Sequence, residues 1–335
     1  GAYQAASSAE KPMCGCTEFT HGQVRKAIKE QHLTSIAQTL RFLEWGTVDG
    51  CASCRPALNY YLTSTWPGEA RDDAQSHLVN ERVHANIQKD GTYSVVPRMW
   101  GGVTNAAELR RIADVADKYQ VPMVKVTGGQ RIDLLGIKKE DLPSVWKDLG
   151  MPSGHAYGKT LRTVKTCVGK EFCRFGTQDS TSMGIALEKE LVGMSSPHKV
   201  KLAVSGCPRN CAESGIKDIG IIAVDSGWEL YVGGNGGIKT EVAQFFAKVQ
   251  THDEVLEYSG AFLQLYREEA FYLERTCHYL NRVGLDHAKA RVVDDPAGRA
   301  ELYARLKFAL SFTTDPWAER IESPAVRREF EALHI

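Results

Sequence analysis

Apolar residues recur along this chain in three different patterns. From residue 20 to 62 the spacing is helical: Val24 and Ile28 share one face, Ile36, Leu40 and Leu43 a second, and Leu58, Tyr61 and Leu62 a third. Thr34 or Ser35 is placed to cap the second helix, Gly46 to stop it, and Pro56 to stand in the first turn of the third. From residue 92 to 150 strand and helix patterns alternate. Tyr93–Arg98 reads as a strand ending at Gly101 and Gly102, and Thr104 as the cap of a helix carrying Leu109, Ile112, Ala113 and Ala116. Met123–Val126 and Ile132–Leu135 read as strands, and Leu142–Leu149 as a helix stopped by Gly150. In the third stretch, Val200–Ser205 is a strand, and Asp218–Val224 pairs with Trp228–Val232 across a turn at Asp225–Gly227. A helix is expected to hold Val242, Phe245, Phe246 and Val249, and a longer one to run from Asp253 to Arg282 with a break near Gly260. Residues 291–335 keep a helical pattern and are expected to wrap the body.

Composition narrows the class. With 335 residues, 43% hydrophobic and 24% charged, the chain has room for two or three ordinary globular domains. Lys+Arg and Asp+Glu both number 41, and this balance argues against a general nucleic-acid or membrane-surface binder while leaving room for a local basic pocket. No apolar run approaches the ~18–20 residues of a membrane span. The opening dozen residues lack the basic-then-apolar order of a secretory signal and read as a linker. A first residue of Gly, not Met, is expected of a fragment of a longer protein.

Cysteine carries the chemistry. Eight of the nine fall into close pairs: Cys14 with Cys16, Cys51 with Cys54, Cys167 with Cys173, and Cys207 with Cys211. Without a secretory signal such pairs point to metal or redox duty in a reducing cytoplasm, not to a disulfide scaffold. The first unit has too few apolar residues for an independent core, so a metal staple is expected there. The C-x-C and C-x2-C pairs point to a metal centre; a structural zinc is the plain reading of a C-x2-C pair, although C-x-C is an uncommon zinc half-site. The C-x5-C and C-x3-C pairs suit a 4Fe-4S cluster, and zinc or a cluster without haem is the other reading.

The segments Thr166–Cys173 and Ser205–Cys211 resemble the cluster-and-siroheme signature of the nitrite and sulfite reductase family, and Cys14–Cys54 resembles a bacterioferritin-associated-ferredoxin-like 2Fe-2S domain. Within the family, the order of units is similar to the C-terminal part of the NAD(P)H-dependent nitrite reductase large subunit. The resemblance implies an α+β chain: a small all-helical 2Fe-2S domain at 13–65, a ferredoxin-like half domain at 77–152, a mixed α/β siroheme and 4Fe-4S domain at 158–290, and a helical tail at 291–335. It implies the reduction of nitrite to ammonium, with sulfite reduction or a non-catalytic electron-transfer module as alternatives. FAD and NAD(P)H would sit on domains upstream, and a small reductase subunit would be a partner.

It also implies site residues. Arg98, Arg162, Lys199 and Lys201 match the family's anion-binding positions, and such charge can hold nitrite and feed protons to it. Gln130 and Arg131 match a segment that contacts the siroheme macrocycle; Arg209, Asn210, Gly234 and Asn235 are further candidates. Cys211 would bridge the cluster to the haem iron. Larger family members carry two copies of the half-domain plus siroheme unit, whereas this chain carries one, so a homodimer that shares its anion pockets is expected.

Overall fold

The computed structural model describes residues 11–73, 76, 86–156, 158–323 and 330. The expected linker at 1–10, the first residues of the expected second domain at 77–85, and the end of the tail lie outside the described residues.

The first unit opens on a hairpin of β1 (Pro12–Cys14) and β2 (Thr17–Thr20), followed by α1 (His21–Glu30), α2 (Ile36–Phe42) and α3 (Cys54–Thr65). It is therefore not all helical: Gly15 and Cys16 form the tight turn between two short strands. Thr20 caps α1 through a capping box with Gln23, and Ser35 caps α2. The expected faces close into a core of Val24, Ile28, Leu40, Leu58, Tyr61 and Leu62. Tyr272, from the far end of the chain, completes it.

The second unit is an antiparallel sheet ordered β3 (Asn86–Ile87), β4 (Tyr93–Val95), β6 (Ile132–Ile137) and β5 (Met123–Val126). Helices α4 (Ala106–Lys118) and α5 (Leu142–Leu149) supply Ile112, Val115, Val145 and Trp146 to its core. Asn105, not Thr104, caps α4, because its Oδ1 accepts from the N–H groups of both Ala107 and Glu108 while the Thr104 hydroxyl donates to the Glu108 carboxylate. Gly150 closes α5 in the left-handed conformation.

The third unit is a five-stranded mixed sheet. Strands β7 (Lys165–Thr166), β8 (Leu202–Ser205) and β9 (Ile219–Val224) run parallel, and β9, β10 (Gly227–Val232) and β13 (Gln244–Val249) run antiparallel. A short hairpin, β11 (Asn235–Gly236) with β12 (Thr240–Glu241), leads into β13. All four residues of β8 are buried, as befits a parallel strand covered on both faces. In β9, a Cβ on Gly220 would collide with the Ser214 carbonyl, so only glycine fits there.

Two elements differ from the pattern reading. Val242–Val249 was compatible with a helix, yet its core forms β13 at the sheet edge; a short apolar run does not distinguish the two periods. The long helix breaks after Glu269, not at Gly260, giving α8 (His252–Glu269) and α9 (Thr276–Val283). Gly260 lies inside α8, where its missing Cβ leaves room for the Tyr303 ring. α6 (Gly169–Phe172) and α7 (Ser180–Leu191) lie between β7 and β8, and α10 (Leu285–Val292), α11 (Pro296–Leu310) and α12 (Pro316–Glu322) follow α9. The tail wraps as expected: α11 packs along α8, and Trp317 of α12 stacks on Trp146 with ring centroids 5.5 Å apart.

The 270–275 break ties the first unit to the third. Arg25 donates to the Ala270 carbonyl at 2.6 Å, and Tyr60 Oη donates to the Arg267 carbonyl at 2.9 Å, so the first unit satisfies the open carbonyl end of α8. The Tyr272 N–H donates to Tyr61 Oη at 2.9 Å.

Candidate metal centres and anion basin

The first quartet is gathered by one hairpin and one helix start. Cys14 ends β1, Cys16 lies in the turn, Cys51 precedes α3, and Cys54 is its first residue; their four sulfurs lie within 4.8 Å of one another. Backbone N–H groups point at them: Cys16 donates to Cys14 Sγ at 3.3 Å and Cys51 to Cys54 Sγ at 3.0 Å. Burial opposes the Cys51 thiolate, but donors from Cys54 and Ser53 outweigh it and bring the thiol down to about 7. Burial pushes the Cys14 thiol up. Four convergent thiols with amide donors fit a 2Fe-2S cluster.

The second quartet stands on two loops at the C-terminal ends of β7 and β8. It is not drawn within the same 4.8 Å; a 4Fe-4S cube takes one thiolate at each of four irons and spreads its ligands more widely. The two loops are bonded to each other: Gly206 N–H donates to Cys167 Sγ at 3.1 Å, and Thr177 N–H to the Gly206 carbonyl at 2.7 Å. Burial opposes the Cys167 thiolate, yet Ser180 and the N–H groups of Gly206 and Gly169 bring its pKa below the ordinary value. Cys207 is buried and Cys211 exposed, so this site has an open side. Cys277 is buried in α9, away from both quartets in sequence.

At the opposite ends of the same strands lies a basic basin. Arg162, Lys199 and Lys201 come together there: Arg162 is close enough to lower the pKa of both lysines, and Lys199 lowers that of Lys201. Burial, then neighbouring cations, lowers both lysines, with Asp218 opposing. Both lysines are half-buried, and neither ammonium has an ion pair or hydrogen bond with a described residue. Two members were missed at the sequence level. Arg275, at the start of α9, donates to both oxygens of fully buried Asp218 at 3.0 and 2.9 Å, and Asp218 also accepts the Lys201 N–H at 2.8 Å. The usable signal was a lone Asp heading an apolar strand, a placement that demands a partner.

Several expected contacts are corrected. Arg98 does not open onto the basin: its side chain is 0% exposed, with Nη1 2.5 Å from Glu188 Oε1 and Nε donating to the Ser153 carbonyl. Its charge is already neutralised inside the fold. Both amide atoms of Gln130 bond the Thr166 backbone, at 2.7 and 2.9 Å. The Asn210 Oδ1 is engaged within its own loop by Gly215 N–H. A Cβ on Gly234 would meet the backbone of Lys217 at 2.5 Å, so this glycine serves chain packing. Asn235 Nδ2 donates to the Lys239 carbonyl and ties the hairpin. Arg131 folds over Gly129, and exposed Arg209 stacks on Phe175 at 3.9 Å beside the cysteine loops.

Three histidines are held neutral by burial first, and then by repulsion from nearby arginines: His21 at about 4, His155 at about 3 and His198 at about 3. Below pH 6.5 the unfolded chain protonates them and the folded chain does not. Stability therefore falls as pH drops from 6.5 toward 4, by about 1.4 kcal/mol per pH unit for each histidine. Urea unfolding at pH 7 and pH 5 should show a clearly lower midpoint at pH 5; equal midpoints would refute the burial of these rings.

Three families match the chain: the BFD-like [2Fe-2S] binding domain over residues 12–64, the nitrite/sulfite reductase ferredoxin-like half domain over 86–152, and the nitrite and sulphite reductase 4Fe-4S domain over 157–300. A nitrite reductase [NAD(P)H] of Bacillus subtilis is 59% identical over 97% of this chain and 40% of its own length. The nitrite reductase (NADH) large subunit of Escherichia coli is 39% identical over 84% of this chain and 34% of its own. The chain thus spans well under half of these relatives. An assimilatory-type sulfite reductase of Nitratidesulfovibrio vulgaris is 36% identical over 64% of this chain and its entire length. Among solved structures, the NirA protein of Mycobacterium tuberculosis shares the fold, with a TM-score of 0.58 at 17% identity over 83% of this chain and 56% of that one. No helix among the described residues is long and apolar enough to cross a membrane.

Proposed function

This chain belongs to the nitrite and sulfite reductase family, and from that premise we propose that it is the electron-relay and reducing part of an NAD(P)H-dependent, ammonium-forming nitrite reductase of the cytoplasm. One observation carries the reading: two half-buried lysines, whose ammoniums have no ion pair or hydrogen bond with a described residue, stand close to Arg162 and Arg275 with Asp218 as the opposing charge, a site that fits a small oxyanion. Cys14, Cys16, Cys51 and Cys54 hold the 2Fe-2S relay, which takes electrons from upstream FAD and NAD(P)H domains. Cys167, Cys173, Cys207 and Cys211 hold the 4Fe-4S cluster, and Arg131 and Arg209 offer charge to the carboxylates of siroheme. When bound, siroheme with its cluster supplies the electrons and the iron at which the anion is reduced. The protein's own part is to bind and protonate. Arg162 and the lysines hold the anion's oxygens, and lysines whose pKa is lowered by burial give up protons more readily as those oxygens leave. A small reductase subunit is the expected partner.

The basin and the cysteines sit at opposite ends of β8. At ~3.3 Å per residue, the run from Lys201 to Cys207 spans about 15–20 Å. We propose that two copies pair so that the basin of each serves the cysteine loops of the other. Mixing a Lys199→Ala/Lys201→Ala chain with a Cys211→Ser chain should then restore one working site per pair; no recovery from a verified mixed pair overturns this arrangement.

The visible spectrum of the purified protein should contain a siroheme band beside cluster bands, and turnover with a dye donor should favour nitrite over sulfite. Absence of haem after cofactor-competent expression would leave an electron-transfer module, and faster sulfite turnover would make the chain a sulfite reductase. Cys211→Ser should lose the coupling of haem to cluster and all nitrite turnover; full activity in this variant would defeat the ligand assignment.

A further inference from the structure

We propose that Gln130 and Glu188 are positioning residues for the 4Fe-4S site: from outside the cysteine loops they fix the backbone of Val164–Thr166, and through it the place of Cys167. The inference rests on the reading of Cys167 as a cluster ligand. β7 is only two residues long and, among the described residues, pairs with β8 alone, so its second edge meets no described strand. The Gln130 side chain stands in for one. Its Nε2 donates to the Thr166 carbonyl at 2.7 Å, and the Thr166 N–H donates to its Oε1 at 2.9 Å, the pair of bonds a neighbouring peptide would make. Gln130 is itself held in a left-handed turn, φ 57°, closed by its N–H to the Thr127 carbonyl.

Glu188 of α7 secures the same segment from the other side. One oxygen accepts the N–H groups of Gly101 at 2.8 Å and Val164 at 3.0 Å, and the other takes Arg98. Gly101 in turn accepts the Thr166 hydroxyl at 2.6 Å. Val164 and Thr166, the third and first residues before Cys167, are thus gripped by three groups of the half domain and α7. Beyond them, the Cys167 sulfur meets Gly206 N–H and Ser180 Oγ, at 3.1 and 3.2 Å. Hydrogen bonds to ligand sulfur tune an iron–sulfur cluster, and their geometry depends on where Thr166 is held.

Gln130→Ala removes both bonds, whereas Gln130→Glu keeps an acceptor for the Thr166 N–H and loses the donor to its carbonyl. In cluster-free full chain, hydrogen exchange at Thr166 should accelerate up to about tenfold in Gln130→Ala and change little in Gln130→Glu. In loaded protein, the electron paramagnetic resonance of the reduced 4Fe-4S cluster and its reduction potential should shift in both variants, with the 2Fe-2S signal as an unchanged internal control. If Gln130→Ala fails to fold, Gln130→Glu and Thr166→Val, which removes the hydroxyl on Gly101, carry the same readouts. Unchanged Thr166 exchange would show the pairing is not formed. Faster exchange with an unaltered cluster signal would make Gln130 structural only and overturn the proposal. A wild-type chain that takes no 4Fe-4S cluster would overturn the functional reading and the inference together, while the exchange arm still decides the pairing.

Discussion

Alanine at both Lys199 and Lys201 is expected to lower kcat/KM for nitrite by at least about 10²-fold, the loss typical of a preorganised charge donor. The fold should tolerate the change. Neither ammonium is bonded to a described residue, and both stand among like charges from Arg162 and Arg275, so removing them relieves repulsion. Cluster and haem spectra should therefore survive while anion handling fails. Arginine at Lys201 separates the two duties. It keeps the charge and the affinity, but it cannot release a proton, so the rate should fall more than KM rises. Wild-type nitrite turnover in the double alanine variant would remove the basin from the reaction.

Glu188→Ala should destabilise the protein by about 3–5 kcal/mol, the usual cost of stripping one partner from a buried ion pair. Both side chains are 0% exposed. Burial pushes the Glu188 carboxyl up and draws Arg98 down, each against the other's pull, so neither charge is comfortable alone. The N–H groups of Gly101 and Val164 would also lose their acceptor. Replacing the pair together, Arg98→Met with Glu188→Leu, should recover part of the loss, because it removes the stranded buried charge while the Gly101 and Val164 N–H groups still lack an acceptor. Urea unfolding of the two variants checks this; a single alanine variant within about 1 kcal/mol of wild type would contradict a closed pair.

What could be read along the chain was whatever depends on near neighbours. Cys14 with Cys16, and Cys51 with Cys54, are brought close by spacing alone, and the Ser35 cap and the Gly150 stop answer to backbone groups a few residues away. Ambiguity appeared where two local solutions were nearly equal. Thr104 and Asn105 both cap well, and the Val242–Val249 run satisfies a helix or a strand until the free edge of β10 takes it. The hairpin at Cys14–Cys16 escaped because strands of three and four residues carry almost no periodic signal.

The chemistry of single side chains followed a different rule. The cysteine pairs and the Lys199–Lys201 pair were determined by sequence, since their meaning lies in residue type and short spacing. Only the tertiary structure decided that Gln130 answers to Thr166, 36 residues on, that Arg98 is neutralised by Glu188, 90 residues on, and that Arg275 reaches back 57 residues to Asp218 and the basin. A charged or amide side chain acquires its role from what burial leaves it to bond with, and burial is a property of distant segments packed together.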